Sequence, residues 1–530
     1  MHTLFALITL ALAAAVFVWE GLCCLRTGDF RAELSRRFSC EHALFGDFCW
    51  GQRQKLAGPL YFAALFVLLF GRIFLHASQL YTVTPPWVYG SMYLLYPVIY
   101  TLLLCKFFFC TRYDLRQLLI VLAFYMFTTA AILPAYEQDI FALFGFAAAF
   151  KDISWRKALA CFAAFTTAMA AVLIVLSLSG VLLIWHPQFT SRMELGFENP
   201  NHLSRVLLSI ATAFLLLLPA QKRRLAALWM LLPTLLFVKK FPGSRSVFLA
   251  LAVLILLCLL FPLVCRVLQS RAIRGLLSAV PLFLLAASAV AAWGYDPSNA
   301  VWEKIARFSN GRLQNWRYTT TLASPRLLAQ ELPKSPAPGM DAPIIDNSYF
   351  YMLYRGGILL TIVLVILSCL LIYRLLKARR YWFVCVLFCW ITHSPFESFF
   401  FCIFSNFMLL LFAPLLFGQP FPEDGTPSKT TYTPGGAKLF LLCAAFFIRS
   451  RSAAAACRAA RCAMCHPIAQ NRFAGCRACV RGHPAQTAQN RNFCGPAGCR
   501  YALHCRKGHR LLRVPPQWGS PCAKGFWPPA

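Results

Sequence analysis

The sequence predicts an all-α polytopic integral membrane protein with about 12–13 transmembrane helices and one large exterior loop. Of its 530 residues, 59% are hydrophobic and only 13% are charged, whereas a soluble globular protein carries about 25% charged residues. Apolar runs of about twenty residues, the length needed to cross a bilayer, recur along the chain. Because every backbone N–H and C=O group in lipid must be hydrogen-bonded internally, we expect these runs to form helices.

The candidate spans, in chain order, are residues 4–22, 56–75, 87–109, 118–133, 140–150, 159–185, 203–219, 225–238, 247–267, 276–293, 358–373, 382–391 and 399–417. The first run has no basic residue before it and no convincing cleavage site, so we interpret it as a retained span rather than a signal peptide. The run 140–150 is the weakest candidate, because it reaches across only about half a bilayer. Arg72 lies inside the second run, where it either pairs with an acid or lines a cavity.

Basic clusters in the connections predict the orientation of the spans. These clusters fall within residues 26–55, 106–116, 151–157, 221–224, 266–274 and 374–380. An excess of Lys and Arg marks cytoplasmic connections. Residues 186–201, 239–245 and 294–355 are then expected to face the periplasm or the cell exterior. We interpret the net charge of +32 as this positive-inside pattern together with a basic tail, with no role in binding nucleic acid.

The last part of the chain, residues 449–530, differs in composition from the predicted membrane domain, residues 1–448. It contains fourteen of the 51 basic residues and no Asp or Glu. Two Cys-x-x-Cys pairs have the spacing of a c-type haem attachment site or a zinc knuckle. Their residues are Cys462 and Cys465, followed by His466, and Cys476 and Cys479. Because no periodicity frames a metal site, we expect a disordered or frame-shifted tail, with a structural zinc site as the alternative.

Each of the three exterior segments contains polar residues suited to binding an anion or moving a proton. An Arg near a membrane face presents a planar fork of N–H donors that matches phosphate oxygens. A carboxylate can accept a proton from an attacking hydroxyl group. The candidate catalytic residues are Arg245, Arg312 and Asp346, and the candidate substrate-binding residues are Asn199, Asn201, His202, Ser244, Arg317, Asn347 and Tyr349.

Residues 341–357, which close the large loop, are the predicted centre of the chemistry because they carry Asp346. Asn347 and Ser348 are expected to cap a helix over residues 349–354. Structural roles are the alternative for several candidates. Such roles would be an interfacial anchor for Arg245, a solvated loop position for Arg312, a helix cap for Asp346 and packing for His202.

Four short motifs, taken in this order, resemble the O-antigen polymerase and O-antigen ligase superfamily over about residues 159–417. They are NPNH at 199–202, SRS at 244–246, GRLQNW at 311–316 and DNSYFYMLYRGGILL at 346–360. The resemblance implies a GT-C-like fold and a transfer that needs no metal and no cofactor. By their positions in these motifs, Arg245 and Arg312 are implied to bind a diphosphate. Asp346 stands where the ligases have a His, which favours a polymerase.

The resemblance implies a membrane glycosyltransferase that polymerises repeat units carried on undecaprenyl diphosphate into a surface polysaccharide such as O-antigen or capsule. The expected partners are the lipid-linked oligosaccharide donor, a glycan acceptor, membrane lipid and a chain-length regulator. A ligase that transfers glycan to lipid A–core or to protein is the alternative within the superfamily. A transporter or flippase is less favoured, because no internal repeat is evident and charges concentrate in the exterior loop.

Overall fold

The computed structural model describes residues 2–422 apart from 27–28, 45–49, 81–85, 133–134, 136–137, 186–191, 310 and 334–344. Within these residues, side chains are described from residue 11 onward, except those of 86–93 and 132. The predicted tail, 449–530, and its cysteine pairs lie outside the described residues.

The described chain is mostly helical. The α-helices are His2–Arg26, Phe30–Ser39, Trp50–Leu69, Pro86–Phe109, Leu115–Ile132, Gln138–Ala149, Trp155–Leu178, Pro200–Leu217, Ala220–Ala226, Leu232–Lys240, Arg245–Leu259, Phe261–Val267, Arg271–Ser278, Val280–Gly294, Ala300–Phe308, Arg312–Leu322, Ser348–Tyr351, Ile358–Lys377, Tyr381–His393 and Phe412–Phe417. The π-helical segments are Phe70–His76, Ala227–Leu231 and Met352–Gly356, and the 3₁₀ turns are Ser394–Phe396 and Phe407–Leu411. Strands His42–Ala43 and Arg112–Tyr113 pair antiparallel.

Several helices have the length and composition of membrane spans. In the described part of the chain, four qualify singly: Trp50–His76, Trp155–Leu178, Pro200–Leu217 and Ile358–Lys377. The number rises to six if each of two bent helix pairs is one span. These pairs are Arg245–Leu259 with Phe261–Val267, bent by 83°, and Arg271–Ser278 with Val280–Gly294, bent by 43°. Five further apolar helices have 10–17 residues within the part of the chain whose side chains are described. The structure thus confirms a helical chain with apolar helices of spanning length; within the described residues, length and composition support four to six spans, against the 12–13 predicted for the whole chain.

The helix Ile358–Lys377 presents one apolar face outward. Ile362, Ile366 and Leu370 recur every fourth residue and are 47%, 51% and 44% exposed. Leu364, between them in sequence, is fully buried. A continuous exposed apolar stripe is unfavourable in water, whereas hydrocarbon solvates it without penalty. The stripe is therefore suited to face lipid.

The weakest predicted span, 140–150, is a short helix inside the protein. It runs over Gln138–Ala149, and every residue from Ile140 to Ala149 is buried. A helix that is apolar on all sides belongs in the interior. Because protein rather than lipid surrounds this helix, its length need not match the thickness of the bilayer.

Arg72 pairs with an acid, which was one of the two roles left open by the sequence. It forms an ion pair with Asp139 at the start of the short buried helix. Tyr96 Oη donates a hydrogen bond to Asp139 Oδ1 at 3.0 Å, and the Arg72 guanidinium lies 5.0 Å from the ring centre of Phe404. Charges in the membrane interior are costly without partners. The ion pair therefore stabilises the packing of the two helices that carry Arg72 and Asp139.

The predicted span 399–417 is not a continuous helix. Residues 397–406 are irregular, and helical structure begins only at Phe407. Asn406 Oδ1 accepts a hydrogen bond from Met408 N at 3.3 Å, and its amide donates to Phe400 O at 3.0 Å. Such local side-chain bonds compete with helix formation. The segment is buried by protein, which is where irregular backbone is tolerated at membrane depth.

The predicted exterior loop, 294–355, is largely helical and has an apolar cluster of its own. It contains the helices Ala300–Phe308 and Arg312–Leu322. In the cluster, Trp316 stacks on Phe350 with ring centres 6.1 Å apart. Because its helices share a buried core, this segment holds its polar side chains in defined positions.

Gly357 fixes the end of this segment against the next helix. Its φ is +85°, and a Cβ atom there would lie 2.6 Å from Leu328 O. Ile358 N and Leu359 N donate hydrogen bonds to Arg326 O at 2.9 Å and Leu327 O at 3.1 Å. Only glycine tolerates both the left-handed backbone and the close approach, which explains the second glycine of the RGG motif.

We expect Asp139→Ala to lower the free energy of unfolding by about 1–3 kcal/mol, because it removes the carboxylate partner of the half-buried Arg72 charge. Unfolding of the purified protein by SDS in detergent micelles measures the change. Glu303→Ala is the matched control, because Glu303 pairs with exposed Arg307 on the surface and should have little effect. An Asp139→Ala variant as stable as Glu303→Ala would contradict a structural role for the buried pair.

Candidate active site

Arg312 lies between two carboxylates from distant parts of the chain. Its Nη2 donates a hydrogen bond to Glu397 Oε1 at 2.9 Å, and its Nε lies 3.6 Å from Asp346 Oδ2. The Arg312 side chain is only 15% exposed, so it is not a solvated loop residue. Partial burial strengthens both charge interactions relative to the same contacts in water. These contacts join the large polar segment to the turn after the helix Tyr381–His393.

The position of Arg312 follows from its local sequence. Gly311 adopts a left-handed conformation with φ of +76° and is the N-cap residue of the helix Arg312–Leu322. Leu313 and Trp316 form part of the buried face of that helix. With these apolar side chains packed in the core, the first residue of the helix reaches Glu397.

The exterior motifs do not identify Glu397, although the structure places it at the centre of the site. Its side chain is 8% exposed, and Ser246 Oγ donates to Glu397 Oε1 at 3.3 Å. A signal does exist in the sequence, because Glu397 is the only Asp, Glu, Lys or Arg between residues 382 and 417. A single acid within such an apolar run needs a partner and is a functional candidate.

The SRS motif forms the start of a helix. Arg245 is the first residue of a fifteen-residue helix, with Ser244 as the N-cap residue. Gly243 has a φ of +67° and donates its N–H to Val238 O at 2.9 Å, which ends the preceding helix and reverses the chain. The hydroxyl groups of Ser244 and Ser246 are 3.3 Å apart. The motif thus links the helix start to the Glu397 carboxylate.

A cavity of about 340 Å³ brings the predicted segments together. Its polar lining comprises Arg192, Asn201, Ser244, Arg245, Ser246, Ser309 and Arg312, and its apolar lining includes Phe248, Leu249, Phe308 and Phe396. Four predicted site residues therefore share one cavity, and a fifth, Asp346, contacts Arg312. The helix N-terminus at Ser244 adds its dipole to the positive potential of the guanidinium groups. Such a cavity suits a ligand with an anionic head and an apolar body.

Asp346 has the properties of a proton acceptor at near-neutral pH. Burial raises its pKa to about 6; the Glu397 charge adds to the increase, and the Arg312 charge opposes it. The Asp346 side chain remains 31% exposed, so water can reach it. A base is most effective when its pKa is close to the working pH. Asp346 is not the helix cap, since Asn347 has that role.

Asn347 and Tyr349 lie in the core rather than in the cavity lining. Asn347 Oδ1 accepts hydrogen bonds from Tyr349 N at 3.0 Å and Phe350 N at 2.9 Å, as the capping prediction expects. Its amide donates to Ser288 Oγ at 2.9 Å. Tyr349 is fully buried and its ring lies 5.9 Å from that of Phe401. Both residues hold the backbone that carries Asp346, and neither is placed to touch a ligand in the cavity.

Asn199, His202 and Arg317 also lie outside the cavity lining. Asn199 is an N-cap residue, and its Oδ1 accepts a hydrogen bond from Asn201 N at 2.8 Å. The His202 ring packs edge-on against Phe399 at 6.2 Å, which fits the packing role. Arg317 is exposed and donates to the Trp293 carbonyl at 3.0 Å.

Within the described residues, no group of three or more His, Cys, Asp or Glu side chains is arranged to hold a metal ion. No family model, curated protein or solved structure matches this chain. The superfamily and the activity that the motifs imply therefore remain predictions.

We expect Asn347→Ala to lower the free energy of unfolding by about 1–2 kcal/mol, because two backbone N–H groups and Ser288 lose a buried partner. SDS-induced unfolding measures the loss. Asn299→Ala is the matched variant, since Asn299 also caps a helix but is exposed. If the two variants lost equal stability, burial would not contribute to the effect of the Asn347 cap.

Proposed function

We propose that this protein is a membrane glycosyltransferase that joins polyprenyl-diphosphate-linked oligosaccharide repeat units into a surface polysaccharide such as O-antigen or capsule. Its location would be the bacterial inner membrane, with the cavity open to the periplasm. The observation that carries the proposal is the convergence of Arg245, Arg312 and Asp346. They come from three separate motifs: Arg245 and Arg312 line one amphipathic cavity, and Asp346 contacts Arg312 beside it.

The cavity matches the two chemical parts of such a donor. The Arg245 and Arg312 guanidinium groups would bind diphosphate oxygens through charge-assisted hydrogen bonds. The apolar lining, including Phe248, Leu249 and Phe308, would contact the first isoprene units. The sugar and the acceptor would lie towards Asp346, which is the more exposed of the two carboxylates beside Arg312.

The proposed step is a displacement at the anomeric carbon of the donor. The acceptor hydroxyl oxygen forms a bond to that carbon, and the bond from the carbon to the diphosphate oxygen breaks. Asp346 accepts the hydroxyl proton, and the diphosphate leaves with the bonding electron pair. The two Arg side chains stabilise the charge that develops on the leaving group. Binding both glycans in one cavity also lowers the entropic cost of their encounter.

Glu397 is a positioning residue in this mechanism. Its contact fixes Nη2 of Arg312 and leaves other donors of the guanidinium fork for the diphosphate. Ser246 in turn fixes the Glu397 carboxylate next to the start of the helix that carries Arg245. The two phosphate-binding side chains are therefore connected through Glu397 and Ser246.

Ligase and transporter functions are the alternatives. A ligase would use the same cavity, but Asp346 in place of the His of the ligases favours polymerisation. A polymerase defect leaves single repeats attached to the acceptor, whereas a ligase defect leaves none attached. Polymerisation of donor by purified protein in detergent, with no bilayer to cross, would exclude transport as the main role.

We expect Arg245→Gln and Arg312→Gln each to reduce glycan transfer by about 10²–10³-fold, because each removes a charge that stabilises the leaving group. Gel analysis of polysaccharide chain length, at matched expression, measures the effect. Arg317→Gln is the matched control, because the exposed Arg317 side chain lies outside the cavity lining and donates to the Trp293 carbonyl. An unaltered ladder in both Arg245 and Arg312 variants would refute the proposal.

We expect transfer to increase with pH through about 6 and then level off, because only ionised Asp346 accepts a proton. Glu397→Gln should move this midpoint to lower pH, because removing a neighbouring negative charge favours ionisation of Asp346. Initial rates of the purified protein between pH 4.5 and about 8 measure the profile. Asp346→Asn should be inactive throughout; activity in this variant, or an unchanged midpoint in Glu397→Gln, would contradict the role of Asp346.

A further inference from the structure

Arg192 is a third guanidinium group in the cavity lining, and none of the exterior motifs includes it. Its Nε donates to Pro242 O at 2.7 Å, and its Nη2 donates to Asn201 Oδ1 at 3.0 Å. Both acceptors are neutral. The two hydrogen bonds therefore fix the plane of the guanidinium group without neutralising its charge.

The charges around the cavity are unequally distributed. Asp346 and Glu397 both contact Arg312. Among the described residues, no carboxylate forms an ion pair with Arg192, whose partners are a carbonyl and an amide. Burial lowers the pKa of Arg192, Glu194 and Glu397 counteract this, and Arg312 contributes to the decrease. A half-buried cation whose direct hydrogen-bond partners are neutral is stabilised by a bound anion.

We infer that Arg192 is a diphosphate-binding residue of the donor site, an assignment that rests on the proposed glycosyltransferase function. A diphosphate diester carries two negative charges. Arg312 shares its charge with two carboxylates, so Arg245 and Arg312 together do not balance the diphosphate. Arg192 adds a third guanidinium charge to the cavity lining and makes the site selective for two phosphate groups over one.

Asn201 becomes a positioning residue in this assignment. It follows the cap Asn199 and the first helical residue Pro200, and its Oδ1 holds the Arg192 fork. The NPNH motif then has a physical explanation: the first Asn fixes the start of the helix, and the second Asn orients a guanidinium group. Gly243 lies beside this group, since a Cβ atom there would be 3.6 Å from Arg192 Nε.

The test is the binding of farnesyl diphosphate, farnesyl monophosphate and farnesol to the purified full-length protein in detergent. The wild type should bind the diphosphate at least about tenfold more tightly than the monophosphate. Arg192→Gln should weaken diphosphate binding by about 10–100-fold, remove this preference and leave farnesol binding unchanged. Arg317→Gln, which removes an exposed Arg outside the cavity, should resemble the wild type.

Two further variants keep the assignment testable if Arg192→Gln does not fold. Arg192→Lys keeps the charge but loses the guanidinium fork, and Asn201→Ala keeps the fork but removes the hydrogen bond that orients it. Both should therefore weaken diphosphate binding less than Arg192→Gln does. If the folded Arg192 and Asn201 variants bind the diphosphate as tightly as the wild type, and Arg245→Gln binds it more weakly, the role of Arg192 is refuted and the proposed function is not. A wild-type protein that binds farnesyl diphosphate no better than farnesol would overturn both this role and the proposed function.

Discussion

The contacts of Arg312 with Asp346 and Glu397 are the constraint on which the candidate site depends. Arg312 starts a helix of the large polar segment, and Glu397 follows a helix of the apolar domain. Their ion pair therefore fixes the segment over the domain. A carboxylate as buried as Glu397 requires such a partner. The same contact orients the guanidinium group of Arg312 and places its positive charge next to Asp346. One interaction therefore contributes to both the architecture and the proposed chemistry.

The geometry of the site depends on the capping, turn and packing residues around the cavity as much as on the side chains that line it. Asn199 and Asn347 each cap a helix, and each precedes or follows a residue of the site by one or two positions. Gly243 and Gly311 adopt left-handed conformations immediately before Ser244 and Arg312. These positions determine where the chain changes direction. The charged side chains reach the cavity because the backbone beneath them is fixed.

The interior of the apolar domain contains further polar groups with specific partners. Arg72 pairs with Asp139, and the guanidinium group of Arg205 lies 3.6 Å from the ring centre of Phe399. A cation over an aromatic face keeps part of the stabilisation that water would provide. Phe399 belongs to the irregular segment 397–406, which is buried in protein. Ion pairs and cation–π contacts thus accompany the departures from regular helix in this domain.

The sequence by itself determined the helical class, the positions of most helices and the motifs that carry Arg245, Arg312 and Asp346. These features follow from local composition, because apolar runs of sufficient length become helices and Gly, Asn and Ser mark their ends. Only the tertiary structure decided which polar residues meet. Glu397 and Arg192 lie outside the motifs, and Asn347 and Tyr349 are turned into the core. Pairings such as Arg312 with Glu397, 85 residues apart, and Ser246 with Glu397, 151 residues apart, join distant segments. Local patterns do not encode such pairings, because they specify conformation and not the partner.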